Sequence, residues 1–173
     1  MIMKDYDGKE YVLIPEHIFK NKQGIDWVAV ERYLQKFVGL KIKTKNFDDV
    51  VCIGRKFPKE YAGSKYTWML KGANAKAKAN AAQGIAEMIH IATDKTYKEN
   101  QKNKHNSSAE NGWYYYVTRF VIPVFSSGDR IVGYNYYSGR LVMNVTKNRK
   151  IYLYDLVDIK KEASNPLKTI TDK

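Results

Sequence analysis

Three segments dense in aromatic and β-branched side chains, at 113–125, 131–146 and 150–160, are separated only by "SSGD" and "TKNR". Such side chains favour a pleated surface, and polar breaks of that length suit hairpin reversals, so the second half of the chain reads as an antiparallel meander. Alternation along the second segment puts Tyr136, Ser138, Arg140 and Asn144 on one face and Tyr137, Leu141, Met143 and Val145 on the other. The first of these faces reads as exposed.

The first half is mixed. Asp26 suits the N-cap of "WVAVERYLQKFVG", in which Trp27, Val30, Leu34 and Phe37 recur at helical spacing until Gly39. A short strand is expected at 49–53 and a loop over "RKFPKEYAGSKYT", punctuated by Pro58 and Gly63. A long helix is expected over roughly 68–93, followed by a polar connection, "DKTYKENQKNKHNSSAENG". The whole is α+β, with N-terminal helices packed on an antiparallel sheet, and the 173 residues read as a single domain, 1–173.

Charge limits the partners. The net charge is +12, concentrated in the last two thirds, which suits a polyanion such as nucleic acid. No basic amphipathic helix with an aromatic face appears, which disfavours a membrane partner. No apolar run reaches spanning length and "MIMKDYDGKE" has no apolar leader region, so the chain reads as soluble and intracellular. The lone Cys52, in "DVVCIG", reads as a small buried hydrophobe. A CxxC, an HExxH, a phosphate-loop motif and a strand-linked GxGxxG are all missing, so no metal and no cofactor is expected. Asp48 and Asp49 read as strand neighbours that diverge, and Asp155 and Asp158 diverge likewise.

Within the expected helix, Ala73, Ala77, Ala81, Gly84, Met88 and Ile91 form a stripe small enough for close approach to another element. Lys71, Asn74 and Lys78 form a second stripe, starting where free backbone N–H groups and the helix dipole favour a phosphate. Lys76, Asn80, Gln83, Glu87 and His90 form a third, solvated one. Lysines serving solubility alone are the competing reading of the second stripe. On the meander, tyrosines beside arginine and serine can stack on unpaired bases while cations hold phosphates. Core packing and sheet cover are the competing reading of the same tyrosines.

The blocks "IDWVAVERYLQKFVG", "EYAGSKYT", "LKGANAKAKANAAQG", "ENQKNKH", "NGWYYYVTRFVIPV" and "YLYDLVDIKKEASNPL" resemble a domain of phage and mobile-element proteins and polymorphic toxins. That domain is similar to the barnase, EndoU, colicin and RelE (BECR) ribonucleases, and the resemblance spans about 14–167, leaving 168–173 as a tail. It implies N-terminal helices on a sheet of about four strands and a metal-independent endoribonuclease, a toxin or effector working in the bacterial cytoplasm. RNA, with tRNA among the candidates, and an immunity or antitoxin protein are the implied partners. Residues inside the matching blocks are His105, Tyr66 and Thr67 for proton transfer, and Lys71, Lys78 and Arg119 for the phosphate. Lys160 and Lys161 would contact the RNA backbone, with Asn74, Tyr136 and Arg140 completing the binding surface. His90 stands where the family pattern usually has an acidic residue. The alternatives are a non-catalytic nucleic-acid-binding or anti-defence module and a structural phage domain.

Overall fold

A computed structural model describes residues 1–20, 23–100, 109 and 111–162. The meander forms as its composition demands: β6 (Trp113–Phe125), β7 (Ile131–Val145) and β8 (Ile151–Lys161) pair antiparallel in sequence order. Both reversals need a left-handed residue, supplied by Asp129 (φ 58°) and Arg149 (φ 61°). In the second turn Thr146 Oγ1 also accepts from the Lys150 N–H at 3.1 Å.

The rest of the sheet comes from the first half of the chain. β1 (Ile2–Lys4) and β2 (Glu10–Leu13) form a hairpin, and β2 runs parallel to β6. β3 (Lys41–Lys43) and β4 (Val50–Cys52) form a second hairpin, and β4 runs parallel to β8. The strand order is β1-β2-β6-β7-β8-β4-β3, with β5 (Thr93–Lys98) pairing a further stretch of β6. The eight strands form one curled half-barrel. The expectation of N-terminal helices packed on a four-stranded antiparallel sheet is therefore overturned: the molecule is mostly sheet, with short helices lying against it. β4 is the strand expected at 49–53; the strands not expected, β1, β2, β3 and β5, are only three to six residues long and all but β2 carry a lysine, so they offer too little alternation to stand out in the sequence.

The helices depart from expectation as well. α1 (Trp27–Leu34) starts where Asp26 Oδ1 accepts from the Ala29 N–H at 3.1 Å. The expected loop is instead α2 (Phe57–Gly63) and α3 (Lys65–Met69): Pro58 fits a first turn, and Ser64 caps α3 through the Thr67 N–H. The expected 68–93 helix is broken. Lys71 is extended and Gly72 adopts φ 59°, which separates α3 from α4 (Gly72–Ala81). A tight turn over Ala82–Gly84 then leads to α5 (Ile85–His90). The small-residue stripe does bring two elements close, since a Cβ on Gly84 would lie 2.7 Å from Val12 Cγ1 and 2.9 Å from Ile14 Cδ1. Ala77, Ala81, Gly84, Met88 and Ile91 are buried, whereas Ala73 is exposed beside the break. Asn80 of the supposed solvated stripe is buried and exchanges hydrogen bonds with the backbone of Phe19.

Candidate nucleic-acid interface

The meander has one face in the core and one facing away from it. Tyr116, Phe120, Ile122, Tyr137, Leu141 and Met143 belong to the core. Alternation sends Trp113, Tyr115, Val117 and Arg119 of β6 to the other face, where register sets them beside β7. There Arg119 faces Ser138, which faces Lys160, while Val117 faces Arg140. Four of these residues thus make a compact polar group: Arg119, Ser138, Arg140 and Lys160.

Arg140 is oriented from two sides. Its guanidinium carbon lies 4.5 Å from the Tyr115 ring centroid, and its Nη1 donates to Asp158 Oδ2 at 3.2 Å. Asp158 takes φ 52° where β8 slips register against β7, which turns its carboxylate to the arginine's side. Gly139 makes the close strand approach possible, because a Cβ there would lie 2.9 Å from Leu156 Cδ1. Val117, Ser138, Arg140, Asp158 and Lys160 line a shallow cleft of about 260 Å³. Arg119 borders a neighbouring cleft of about 380 Å³ with Lys9, Asn46, Thr93 and Asp94, and its Nε is buried without a hydrogen bond among the described residues.

Tyr136 shares this face but is not open to a base. It is buried, and the ring of Tyr11 meets it edge-on at 5.5 Å. The stacking role read for Tyr136 is therefore corrected, and Tyr115, half-buried under Arg140, is the ring within reach. Tyr11 in turn donates to Glu162 at 3.0 Å; burial first, then that carboxylate, pushes its phenol far above the usual range.

The Lys71, Asn74 and Lys78 stripe does not exist as a phosphate site. Lys71 is exposed and extended ahead of α4, Asn74 is half-buried, and Lys78 is completely enclosed. Lys78 Nζ donates to Asp155 Oδ1 at 2.5 Å and to Thr67 Oγ1 at 2.6 Å, with the ring centroids of Tyr61 and Tyr66 at 4.6 and 5.1 Å. Thr67 Oγ1 donates to the Tyr61 carbonyl at 2.6 Å, and the Tyr66 hydroxyl accepts from the Ile159 N–H at 2.8 Å. Tyr66, Thr67 and Lys78 thus do come together, but inside the protein, where they tie α2, α3 and α4 to β8. Burial pulls the Lys78 ammonium below the usual lysine range and pushes the Asp155 carboxyl above its own. Neither group can meet a substrate, so the phosphate-binding role of Lys78 and the proton-transfer role of Thr67 are withdrawn.

Lys160 and Lys161 separate: Lys160 lies beside Ser138, and Lys161 pairs with Tyr137 at the end of β8. His105 lies outside the described residues. Asp48 and Asp49 precede β4 instead of lying within a strand; Asp49 is held by the Tyr116 hydroxyl at 2.6 Å and Lys95 Nζ at 2.7 Å. Cys52 is only partly buried. Among the described residues, no three His, Cys, Asp or Glu side chains gather as a metal site, and no helix is long and apolar enough to cross a membrane.

Models of protein families, curated proteins and solved structures were all compared with this chain, and none matches it. The site therefore rests on its own geometry.

Part of that geometry was readable earlier. The alternation in "WYYYVTRF" already sets Tyr115, Val117 and Arg119 on one face, a pattern considered above only for the second strand. Asp158 carried no such signal, because its direction depends on a bulge. A second feature also went unnoticed: a cavity of about 510 Å³ where Arg55, Lys56 and Glu60 face Asn144, Tyr152 and Tyr154.

Proposed function

We propose that this chain binds single-stranded RNA along the meander face that bears Arg119, Tyr115, Arg140 and Lys160. The observation that carries the reading is their register: on one face of three adjacent strands, Arg140 pairs with Val117 between Tyr115 and Arg119, and Ser138 lies between Arg119 and Lys160, which gathers two arginines, a lysine and a half-buried ring. An open sheet with a ring flanked by cations suits unpaired nucleotides, because bases stack on π-faces while cations follow the phosphates. The Arg140–Asp158 pair does not oppose this, since both side chains are well exposed and such a pair is worth at most about 1 kcal/mol. A phosphate can replace the carboxylate at little cost.

Asp158 also favours a second reading, metal-independent cleavage. An RNA 2'-hydroxyl can attack its own phosphate, breaking the P–O5' bond and leaving a 2',3'-cyclic phosphate, if a base takes its proton, a donor protonates the departing 5'-oxygen and a cation stabilises the developing charge. Asp158, Lys160 and Arg140 line one cleft and can fill these three roles in that order.

Fluorescence anisotropy with a labelled single strand tests the first reading. Arg119→Gln with Arg140→Gln should weaken binding roughly a hundredfold, as loss of two charge-assisted contacts predicts. Arg32→Gln, an exposed control on α1, should change little. Equal loss from the control would reduce the face to part of a diffuse positive field. For cleavage, Asp158→Asn should stop the reaction while leaving binding in place, and excess EDTA should not affect it.

A further inference from the structure

We infer that the cavity between α2 and the start of β8 is a binding site for a nucleoside monophosphate; it adjoins the Trp113–Asn144–Tyr152 end of the sheet and shares no lining residue with the cleft around Arg140 and Lys160, so either reading can fail alone. Its volume, about 510 Å³, falls in the range of roughly 300–1,000 Å³ usual for small-molecule sites. Two tyrosines of β8, Tyr152 and Tyr154, provide aromatic surface, and Phe57 and Leu153 add apolar wall. Both rings are fixed in place. Tyr152 packs on the Gly54 backbone so closely that a Cβ there would lie 3.2 Å from the ring, and Tyr154 hydrogen-bonds Glu60 while meeting Trp113 edge-on at 5.1 Å. A planar base has rings to stack on, and the Asn144, Thr146 and Glu60 side chains offer polar partners for its edge.

The opposite need, a counter-charge for phosphate, is met at the rim. Arg55 and Lys56 line the cavity and are exposed; Lys147, Arg149 and Lys150 are exposed in the turn that follows Thr146. None of the five forms an ion pair among the described residues. Glu60 is the one carboxylate among the cavity-lining residues, and it is engaged by Tyr154. A tyrosine-lined cavity with Arg55 and Lys56 on its wall, and three further cations in the turn after Thr146, matches a ligand with an aromatic body and an anionic end. A free nucleotide and the phosphorylated end of an RNA share that chemistry.

The three tryptophans supply the test, because only Trp113 touches a ring of the cavity while Trp27 and Trp68 lie elsewhere. Adenosine, guanosine, cytidine and uridine monophosphates would be titrated in turn into the full chain, following the three indole N–H resonances by NMR. The expected result is saturable movement of the Trp113 resonance alone with at least one of them. Inorganic phosphate alone should leave it unmoved, and the parent nucleoside should bind more weakly. Arg55→Gln with Lys56→Gln, both on the surface, should weaken binding roughly ten- to a hundredfold, and Tyr152→Leu should remove it. Arg119→Gln with Arg140→Gln should leave this titration unchanged. A phosphorylated trinucleotide that binds tenfold tighter than the mononucleotide would assign the site to RNA ends; equal affinity would assign it to free nucleotide. A Trp113 resonance indifferent to all four monophosphates, or a double variant that binds as tightly as the wild type, would overturn the inference.

Discussion

Lys78 and Asp155, 77 positions apart in sequence, meet at 2.5 Å in the interior with neither side chain reaching solvent. Each loses hydration and takes its counter-charge from the other, so removing one partner leaves an uncompensated buried charge, at a cost of about 3–5 kcal/mol. Lys78→Met should therefore be strongly destabilising in urea unfolding at neutral pH, while Lys78→Met with Asp155→Leu should recover most of the loss. A double variant as unstable as the single one would deny the coupling.

The same single variant should respond to acid with a definite sign. Burial already raises the Asp155 carboxyl, and without Lys78 the largest opposing influence is gone, leaving only the hydrogen bonds from Ser64 and the Leu156 N–H to pull it down. A raised carboxyl favours the folded state when protonated, a contribution complete below the unfolded value of about 3.9 and lost as pH rises through the folded one. Lys78→Met should thus lose less stability relative to wild type as pH falls towards 4 from neutral. A deficit independent of pH across that window would contradict this.

Alkali should unfold the protein from a different place. Burial raises the phenols of Tyr61 and Tyr116; the Asp155 charge adds to the first, and the Asp49 hydrogen bond to the second. Raised phenols stabilise the fold fully below the unfolded tyrosine value of about 10 and withdraw that support above it. Stability should fall as pH climbs past 10, with the tyrosinate absorbance of these rings appearing together with loss of circular dichroism. Ionisation of all fourteen tyrosines ahead of unfolding would show that these phenols are not protected.

Gly84→Ala should destabilise although alanine is the better helix former. Its propensity gain is at most about 1 kcal/mol, whereas a Cβ placed 2.7 Å from Val12 Cγ1 forces β2 and the turn apart, for about 1–3 kcal/mol. Denaturant midpoints of the two proteins decide the matter, and an unchanged or raised midpoint would show that β2 yields freely.

Salt dependence should report the RNA face. Three phosphate contacts, one for each cation, would give a log-log slope near −2.1 for single strands, at about −0.7 per contact, and each of Arg119→Gln, Arg140→Gln and Lys160→Gln should flatten it by about 0.7. A slope that these substitutions leave intact would move the contacts elsewhere.

How much of this could be read beforehand differed from element to element. β6, β7 and β8 were legible to within a residue or so because long alternating runs carry their own periodicity. α1 was legible through the Asp26 cap. "VVC" was legible as the β-branched run at 49–53, but "IMK" and "KIK" were not, since such short segments become strands through the neighbours they join. Lys78 misled for a related reason. A helical wheel arranges residues on a helix without knowing which side the sheet will cover, and the partner that makes a buried lysine tolerable, Asp155, sits in a distant strand. Arg140 was placed on its face because alternation on a meander strand does separate a core face from its opposite, whereas Arg119 was named only through the resemblance of its block.

The sheet's two parallel seams impose an order on synthesis. β4 finds its neighbour only when Ile151 arrives, a hundred positions after Val51, and β2 waits slightly longer for Phe120. At about 5–20 residues per second, the ribosome leaves the β3–β4 hairpin without its partner for roughly 5–20 s. An apolar hairpin in that condition would recruit other nascent chains. Lys41 and Lys43, flanking Ile42 on β3, keep one margin of it charged throughout the wait. Some of the chain's excess lysine thereby protects the nascent protein before there is a folded surface on which to display it.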